Sequence, residues 1–128
     1  MPAILAYLLH LATAVVLVMI FFVIYTRLTP YDEVTLIRGG NHAAALSLGG
    51  TLIGFSLPIA SALLHTPDYY NFLGWAGGAM LIQVMVFHVT TRLLKMSKEQ
   101  IEADNSAFGV LLASISIAIG LVNAGSIS

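Results

Sequence analysis

Four long apolar segments alternate with short polar ones along the chain. They cover residues 4–25, 43–64, 72–90 and 106–127, and none of them contains Asp, Glu, Lys or Arg. A helix rises about 1.5 Å per residue, so about 20 residues cross the ~30 Å hydrocarbon layer of a membrane. Lipid tolerates only helices and closed barrels, and these segments lack the alternation of barrel strands. The pattern predicts an all-α, polytopic membrane protein with four transmembrane helices.

Composition agrees with this class. Of the 128 residues, 59% are hydrophobic and 9% are charged, whereas soluble domains carry about 25% charged residues. We expect a single membrane domain over residues 1–128, with the lipid bilayer as its surroundings. The run Ala12-Thr13-Ala14 resembles a signal cleavage site. No Lys or Arg precedes it and the apolar run continues beyond it, so we expect a retained helix.

The second segment carries small residues along one side. Ala43, Ser47, Gly50, Gly54 and Pro58 fall three or four residues apart and therefore share a helix face. A face without bulk lets a second backbone approach closely, which is how membrane helices pack.

Similar stripes recur later in the chain. The third segment contains Gly74 and Gly78 at the same four-residue spacing, and the fourth contains Gly120 in a row of small residues. The glycines predicted to pack helices are Gly50, Gly54, Gly74, Gly78 and Gly120. Some of these stripes should pack within one chain, and the remainder should pack subunits together.

The basic residues predict the orientation. All five lie in or beside two connections: Arg27 and Arg38 flank the first, and Arg92, Lys95 and Lys98 enter the third. Because positive charge stays in the cytoplasm, loops 29–41 and 94–105 should be cytoplasmic. Both termini and the 65–71 loop should then lie outside, in the periplasm of a bacterial inner membrane.

Each cytoplasmic connection is long enough for a short amphipathic helix. In the first, Thr29 is expected as the cap and Pro30 as the first helical residue, giving a helix over 30–38. In the third, Ser97 and Gln100 have capping-box spacing, giving a helix over 97–104. An ordered polar loop is the alternative in both places.

The two halves of the sequence resemble each other. Thr26-Arg27-Leu28 matches Thr91-Arg92-Leu93, and Asn41 matches Asn105, at offsets of 65 and 64 residues. These matches predict a duplicated two-helix unit, with repeats over about 1–64 and 65–128. Since each unit has two spans, the repeats must be parallel rather than inverted.

Over most of its length, and most densely between residues 25 and 61, the chain also resembles a known family. It is similar to the YjfL-like small inner-membrane proteins of bacteria, a domain of unknown function (DUF350). The residues that carry the resemblance are Thr29-Pro30, Glu33, Leu36-Ile37, Asn41, Ala43-Ala44, Gly50, Gly54 and Pro58. The resemblance implies a four-span protein made of a duplicated two-span unit and implies no established activity.

Two matched pairs of polar residues lie at the predicted cytoplasmic surface. Asn41 and Asn105 begin the second and fourth spans, where an Asn caps a helix. The alternative is that these side chains and helix ends hold an anion at a cytoplasmic mouth. Arg27 and Arg92 are expected to reach lipid phosphates, or alternatively to line an entrance.

Polar residues inside the spans are few. Gln83, His88 and Asn123 are candidates for a polar lining. Asn123 lies near the depth of Pro58, which frees the Gly54 carbonyl from its helical partner. That carbonyl and the amide could bind a cation or each other. For His10 and His88 we expect hydrogen bonds to neighbouring helices, with a proton-sensitive role for His88 as the alternative.

These observations exclude several function classes. Cysteine is absent, which rules out disulfides and thiolate metal sites, and the net charge of −1 offers no field for nucleic acid. We expect no cofactor, no metal and no enzymatic activity, since no nucleophile and base are arranged together.

Two functions remain. The first is a homo-oligomeric structural or interaction protein with a cytoplasmic protein partner, which would meet exposed Glu33, Arg38, Glu99 and Glu102. The second is a subunit of an oligomeric ion channel or small-solute transporter lined by Ser47, Thr51, Ser56 or Gln83. Proton-coupled export is disfavoured because no span contains an acidic residue.

Overall fold

The computed structural model describes residues 2–29, 31–93 and 97–127. Its elements are α1 (Ala3–Leu28), α2 (Glu33–Arg38), α3 (His42–His65), α4 (Tyr69–Leu93), α5 (Ser97–Glu102) and α6 (Ser106–Ile127). The four long helices have mean hydropathies between 1.6 and 2.6 and are long enough to cross a membrane. The prediction of an all-α, four-span protein is confirmed.

The centre of the bundle is the contact between α3 and α6. Gly109 faces the backbone of Ala43, where a Cβ would come within 2.6 Å of the carbonyl oxygen. Farther along, Ser61 Oγ donates a hydrogen bond to the Ala124 carbonyl at 2.7 Å. The contacts advance in the same direction along both helices, so α3 and α6 are parallel.

Glycine is required where these two backbones meet. A Cβ on Gly50 would overlap Ala113, one on Gly54 would overlap the Ser116 carbonyl, and one on Gly120 would overlap the Gly54 carbonyl. Pro58 removes the amide that would have bonded that carbonyl within α3. The Gly54 carbonyl faces Gly120 instead.

Helices α1 and α4 flank this pair and supply most of the aromatic packing. Phe21 stacks on Phe55 with ring centroids 4.4 Å apart, and Tyr25 contacts Phe87 at 4.5 Å. Burial differs strongly between the helices. In an apolar stretch of 18 residues, 56% of the α3 residues are buried, whereas only 11% of the α1 residues are buried. The outer face of α1 is therefore left for lipid or for another chain.

The short helix α2 begins later than the sequence predicts. Its N-cap is Asp32, whose side chain accepts a hydrogen bond from the Thr35 amide at 3.2 Å. The expected cap, Thr29, donates instead to the carbonyls of Thr26 and Tyr31. The prediction of Thr29 as cap was wrong because Asp32 stands directly before the helix. Pro30 lies outside the described residues.

The turns that end α2 and α5 have the same backbone geometry. The Asn41 amide bonds the Leu36 carbonyl, and the Asn105 amide bonds the Gln100 carbonyl, both at 2.9 Å. Gly40 and Asp104 occupy the left-handed region in the two turns, with φ of 88° and 59°. This geometry returns the chain sharply into α3 and α6.

Two Gly→Ala substitutions in α3 should distinguish the effect of the close α3–α6 contact from the general effect of replacing glycine in a helix. In Gly54→Ala the added methyl meets the Ser116 backbone, and such overpacking costs about 1–3 kcal/mol. In Gly49→Ala on the same helix the methyl meets nothing within 4 Å, so stability should be unchanged or slightly raised. The measurement is thermal unfolding in detergent. Equal melting temperatures for the two variants would contradict the packing described here.

A buried polar cluster beside the first short helix

Five polar side chains are buried together where α1, α2 and α3 meet. Tyr25, Tyr31, Glu33, Ser47 and Thr51 are each 4% exposed or less, and we call them the buried polar cluster. Buried polar groups are costly unless hydrogen-bonded, so their partners matter. The cluster lies at the end of the bundle that the basic residues predict to be cytoplasmic.

Local sequence explains how the cluster assembles. Ser47 and Thr51 are four residues apart and share one face of α3, and Tyr25 lies in the last turns of α1. The Tyr25 hydroxyl is 3.2 Å from Ser47 Oγ, and Thr51 Oγ1 donates to the Ser47 carbonyl at 2.8 Å. Glu33, the first residue of α2, is buried and interacts electrostatically with Tyr25 and Tyr31.

Hydrogen bonds extend from the cluster toward the middle of the bundle. Thr51 Oγ1 lies 3.3 Å from Ser116 Oγ on α6. Gln83 Nε2 on α4 is 3.5 Å from the Ser116 carbonyl, and Gln83 Oε1 is buried without a partner. A cavity of about 10 Å³ lies beside Gln83 and Ser116, close to the smallest space that holds one water.

The electrostatics of the cluster centre on Glu33. Burial raises the pKa of its carboxyl, and the nearby Thr29 hydroxyl opposes this only in part. Burial also raises the pKa of the Tyr31 hydroxyl. Arg27 and Arg38, the nearest basic residues in sequence, are both exposed. The expectation that Glu33 is presented to a soluble partner was wrong, since the side chain is 1% exposed.

Of the two matched asparagines, Asn41 is much more deeply engaged. Its Oδ1 accepts from the Ala44 amide at 2.8 Å, and its Nδ2 donates to the Ile101 carbonyl at 2.7 Å. Asn105 Oδ1 accepts from the Phe108 amide at 3.3 Å and its Nδ2 donates to Gln100 Oε1 at 2.6 Å, but the side chain is exposed. With both ends of its side-chain amide occupied, Asn41 is not available to hold an anion.

A second side chain joins the two halves of the chain at this surface. Asp104 Oδ1 accepts a hydrogen bond from the Ala43 amide at 2.9 Å, and Oδ2 lies 3.5 Å from His42 Nδ1. The Ala43 amide is the main cause that lowers the pKa of Asp104. The α5–α6 turn therefore caps the N-terminus of α3.

The remaining predicted residues are spread over the molecule. Arg27 and Arg92 are exposed in the last turns of α1 and α4, and His88 is half-buried on α4. Asn123 donates to the Ala79 carbonyl at 3.2 Å rather than meeting the carbonyl of Gly54. His10 bonds Ala6 within α1 at 2.7 Å.

Two of the glycines predicted to pack helices have no such contact within the chain. Gly74 and Gly78 are exposed on α4, and a Cβ on either would meet nothing within 4 Å. The opposite face of α4, which carries Phe72, Ala76 and Gln83, is the one that packs inward. Gly50, Gly54 and Gly120 lie at the α3–α6 contact.

Sequence reasoning missed Tyr25, Tyr31 and the burial of Glu33. One signal was available: Ser47 and Thr51 place two hydroxyls on the face of α3 that is otherwise made of small residues. Within the described ranges, no group of three or more His, Cys, Asp or Glu side chains is placed to hold a metal ion.

The four apolar helices, with the polar cluster buried at one end beside α2, define an integral membrane protein of the small four-span class. The chain belongs to the family described as Domain of Unknown Function (DUF350), whose sequence profile matches residues 1–127.

Its relatives include the UPF0719 inner membrane protein YjfL of Escherichia coli (strain K12). The two are 32% identical over 124 residues, which cover 97% of this chain and 94% of YjfL. The UPF0719 transmembrane protein YshE of Bacillus subtilis (strain 168) is 31% identical over 125 residues, covering 92% and 90% of the two chains. No solved structure matches the chain.

The different environments of the two asparagines lead to a prediction. Asn41→Ala removes a buried cap and the bond to Ile101, and should lower stability by about 1–2 kcal/mol. Asn105→Ala should cost roughly half of that or less, because water can replace the exposed side chain. Unfolding in detergent compares them, and equal losses would show that the buried contacts of Asn41 add nothing.

Proposed function

We propose that this protein is a homo-oligomeric structural or interaction protein of the bacterial inner membrane, and that it is not an enzyme. One observation carries the proposal: the outward glycine face of α4. Gly74, Gly77 and Gly78 are exposed, and a Cβ on any of them would meet nothing within 4 Å.

This face has the properties of a helix-packing surface. Glycines spaced four apart let a second helix approach to backbone contact, and that close packing drives association where the hydrophobic effect does not. Leu81 and Met85 continue the same face of α4 and are also exposed. In α3 and α6 the equivalent stripes are already used within the chain, so the small-residue stripe left for a second copy is the one on α4.

The interior of the bundle favours a structural role rather than a channel within one chain. Beside Gln83 and Ser116, in the middle of the bundle, the cavity between α4 and α6 is only about 10 Å³, far too small for a hydrated ion. Helix crossings made of touching backbones, as at Gly54 and Gly120, also leave no room between α3 and α6.

A channel or small-solute transporter subunit is the second candidate. It is favoured by the row of polar groups that runs from Tyr25 through Ser47 and Thr51 to Ser116. A pore between subunits could not be lined by Ser47, Thr51 or Gln83, because each of them is buried within its own chain. Ser56 is exposed, but its hydroxyl donates to the Ile53 carbonyl. We therefore prefer the scaffold.

We also propose that the chain arose by parallel duplication of a two-span unit. The element order long, short, long occurs twice. The matched turns add independent support: Gly40 bonds the Ile37 carbonyl and Asp104 bonds the Ile101 carbonyl, both at 3.0 Å. The bonds of the Gly40 and Asn41 amides in the first turn therefore have counterparts 64 residues later.

The orientation belongs to the same proposal. We place both termini in the periplasm and the turns containing α2 and α5 in the cytoplasm, on the strength of the basic residues. Arg38, Glu99 and Glu102 are exposed there and would meet a cytoplasmic protein partner.

The oligomer can be tested with single cysteines, because the natural chain has none. Gly74→Cys should give a covalent dimer on mild oxidation in membranes, since the α4 faces of two copies would meet. Ala12→Cys, on the exposed face of α1, should give little. Native mass spectrometry of the unmodified protein should show more than one subunit. A monomer by mass together with no dimer from Gly74→Cys would overturn the proposal.

Orientation can be tested in the same way. Cysteines replacing Pro67 or Ser126 should react with an impermeant thiol reagent added outside the inner membrane, while one replacing Glu102 should not. All three positions are exposed, so reagent access depends on the side of the membrane. External labelling at Glu102 with none at Pro67 would reverse the assignment.

A further inference from the structure

Glu33 is the exception among the six acidic residues of this chain. Asp32, Asp68, Glu99, Glu102 and Asp104 are all exposed, whereas Glu33 is 1% exposed. Its Oε1 is buried without a hydrogen-bond partner, and so is the hydroxyl of Tyr31. Isolated buried charge is so costly that a carboxyl in this position neutralises instead.

Among the described residues, none of the charges that act on Glu33 is positive, because Arg38 at the end of the same helix is exposed and acts on Asp32 instead. The titratable groups that interact with it electrostatically are Asp32, Tyr25 and Tyr31. On α3, which packs against α2, the ionisable groups are His42 and His65, at the two ends of the helix and both exposed.

On α4 and α5, the other elements near the cluster, the ionisable groups considered are also exposed or half-buried. On α5, which contributes buried Ile101 to the packing around Tyr31, the ionisable groups Lys98, Glu99 and Glu102 are exposed. On α4, whose Phe87 contacts Tyr25, the nearest ionisable group in sequence is the half-buried His88. Hydroxyl groups, rather than cations, therefore surround the carboxyl.

We propose that the buried polar cluster is a proton-binding site in which the Glu33 carboxyl takes up and releases one proton. On uptake, a hydronium ion gives its proton to a carboxylate oxygen and leaves as water. The resulting carboxylic acid is neutral and supplies a donor to a cluster in which two oxygens have no partner. On release, the proton returns to water at the α2 surface.

Proton binding at Glu33 is linked to stability. The pKa of Glu33 is raised in the folded protein, so the folded state holds the proton more tightly than the unfolded state does. The stabilisation is present in full below the ordinary value of 4.5 and is lost as pH rises through the raised folded pKa. A rise in pH through the folded pKa of Glu33 should therefore loosen the junction of α1, α2 and α3.

The experiment is infrared difference spectroscopy of the full-length protein in lipid nanodiscs as pH is raised. The wild type should show a protonated carboxyl band that disappears at higher pH than the bands of the exposed acids. Glu33→Gln should lose that band. Asp32→Asn is the matched control, because it removes the neighbouring carboxylate but keeps a good helix cap, and it should retain the band.

Two further measurements keep the test decisive. If Glu33→Gln does not fold, labelling the wild type with ¹³C-glutamate should shift the late-titrating band, which assigns it to a glutamate. In thermal unfolding, the wild type should lose stability with rising pH relative to Glu33→Gln.

Three outcomes would overturn the proposal. The first is that every carboxyl band titrates with the exposed acids. The second is that the late band survives in Glu33→Gln. The third is that added Na⁺ at fixed pH stabilises the wild type but not Glu33→Gln while pH has no effect, which would identify a metal cation as the ligand.

Discussion

The backbone contact between α3 and α6 is the constraint on which the rest of this protein depends. At Gly54 and Gly120 the two helices touch without any side chain between them, and Pro58 frees the carbonyl that points into the contact. Such an approach fixes the depth of one helix against the other, because a shift along either axis would drive Ala113 or Ser116 into a backbone. The hydroxyls of Thr51 and Ser116 meet at 3.3 Å only because the helices are this close.

Much of the fold follows from the sequence because the membrane imposes a simple rule. Segments 4–25, 43–64 and 106–127 were predicted within a few residues of α1, α3 and α6, since uncharged runs of that length in lipid must be helices. The third span was predicted less closely, because Tyr69 and Arg92 continue α4 through polar residues at both ends. The start of α2 was missed because Thr29 and Asp32 are both good caps, and only tertiary contacts select between them.

The sites were harder to predict for a physical reason. Gly50 with Gly54 and Gly74 with Gly78 have identical spacing, yet one pair is filled by α6 and the other is open. Local sequence shows that a helix face is made of small residues, but it does not show which other helix, if any, packs against that face. Glu33 shows the same limit: in a helix of six residues, which side faces inward is decided by docking against α3 and not by periodicity.

The turns at residues 39–41 and 103–105 share the same backbone hydrogen bonds but make different contacts with the rest of the chain. At the left-handed position, the first turn has Gly40, which adopts that conformation without penalty, whereas the second has Asp104. An aspartate is less favourable than glycine in that conformation, but the Asp104 carboxylate accepts a hydrogen bond from the Ala43 amide. The second turn therefore has a less favourable backbone conformation than the first, but it forms a hydrogen bond that links the two halves. The two halves are consequently not interchangeable: the first turn reaches the other half through the Asn41 side chain, which donates to the Ile101 carbonyl, whereas the second holds the N-terminus of α3 through the Asp104 carboxylate.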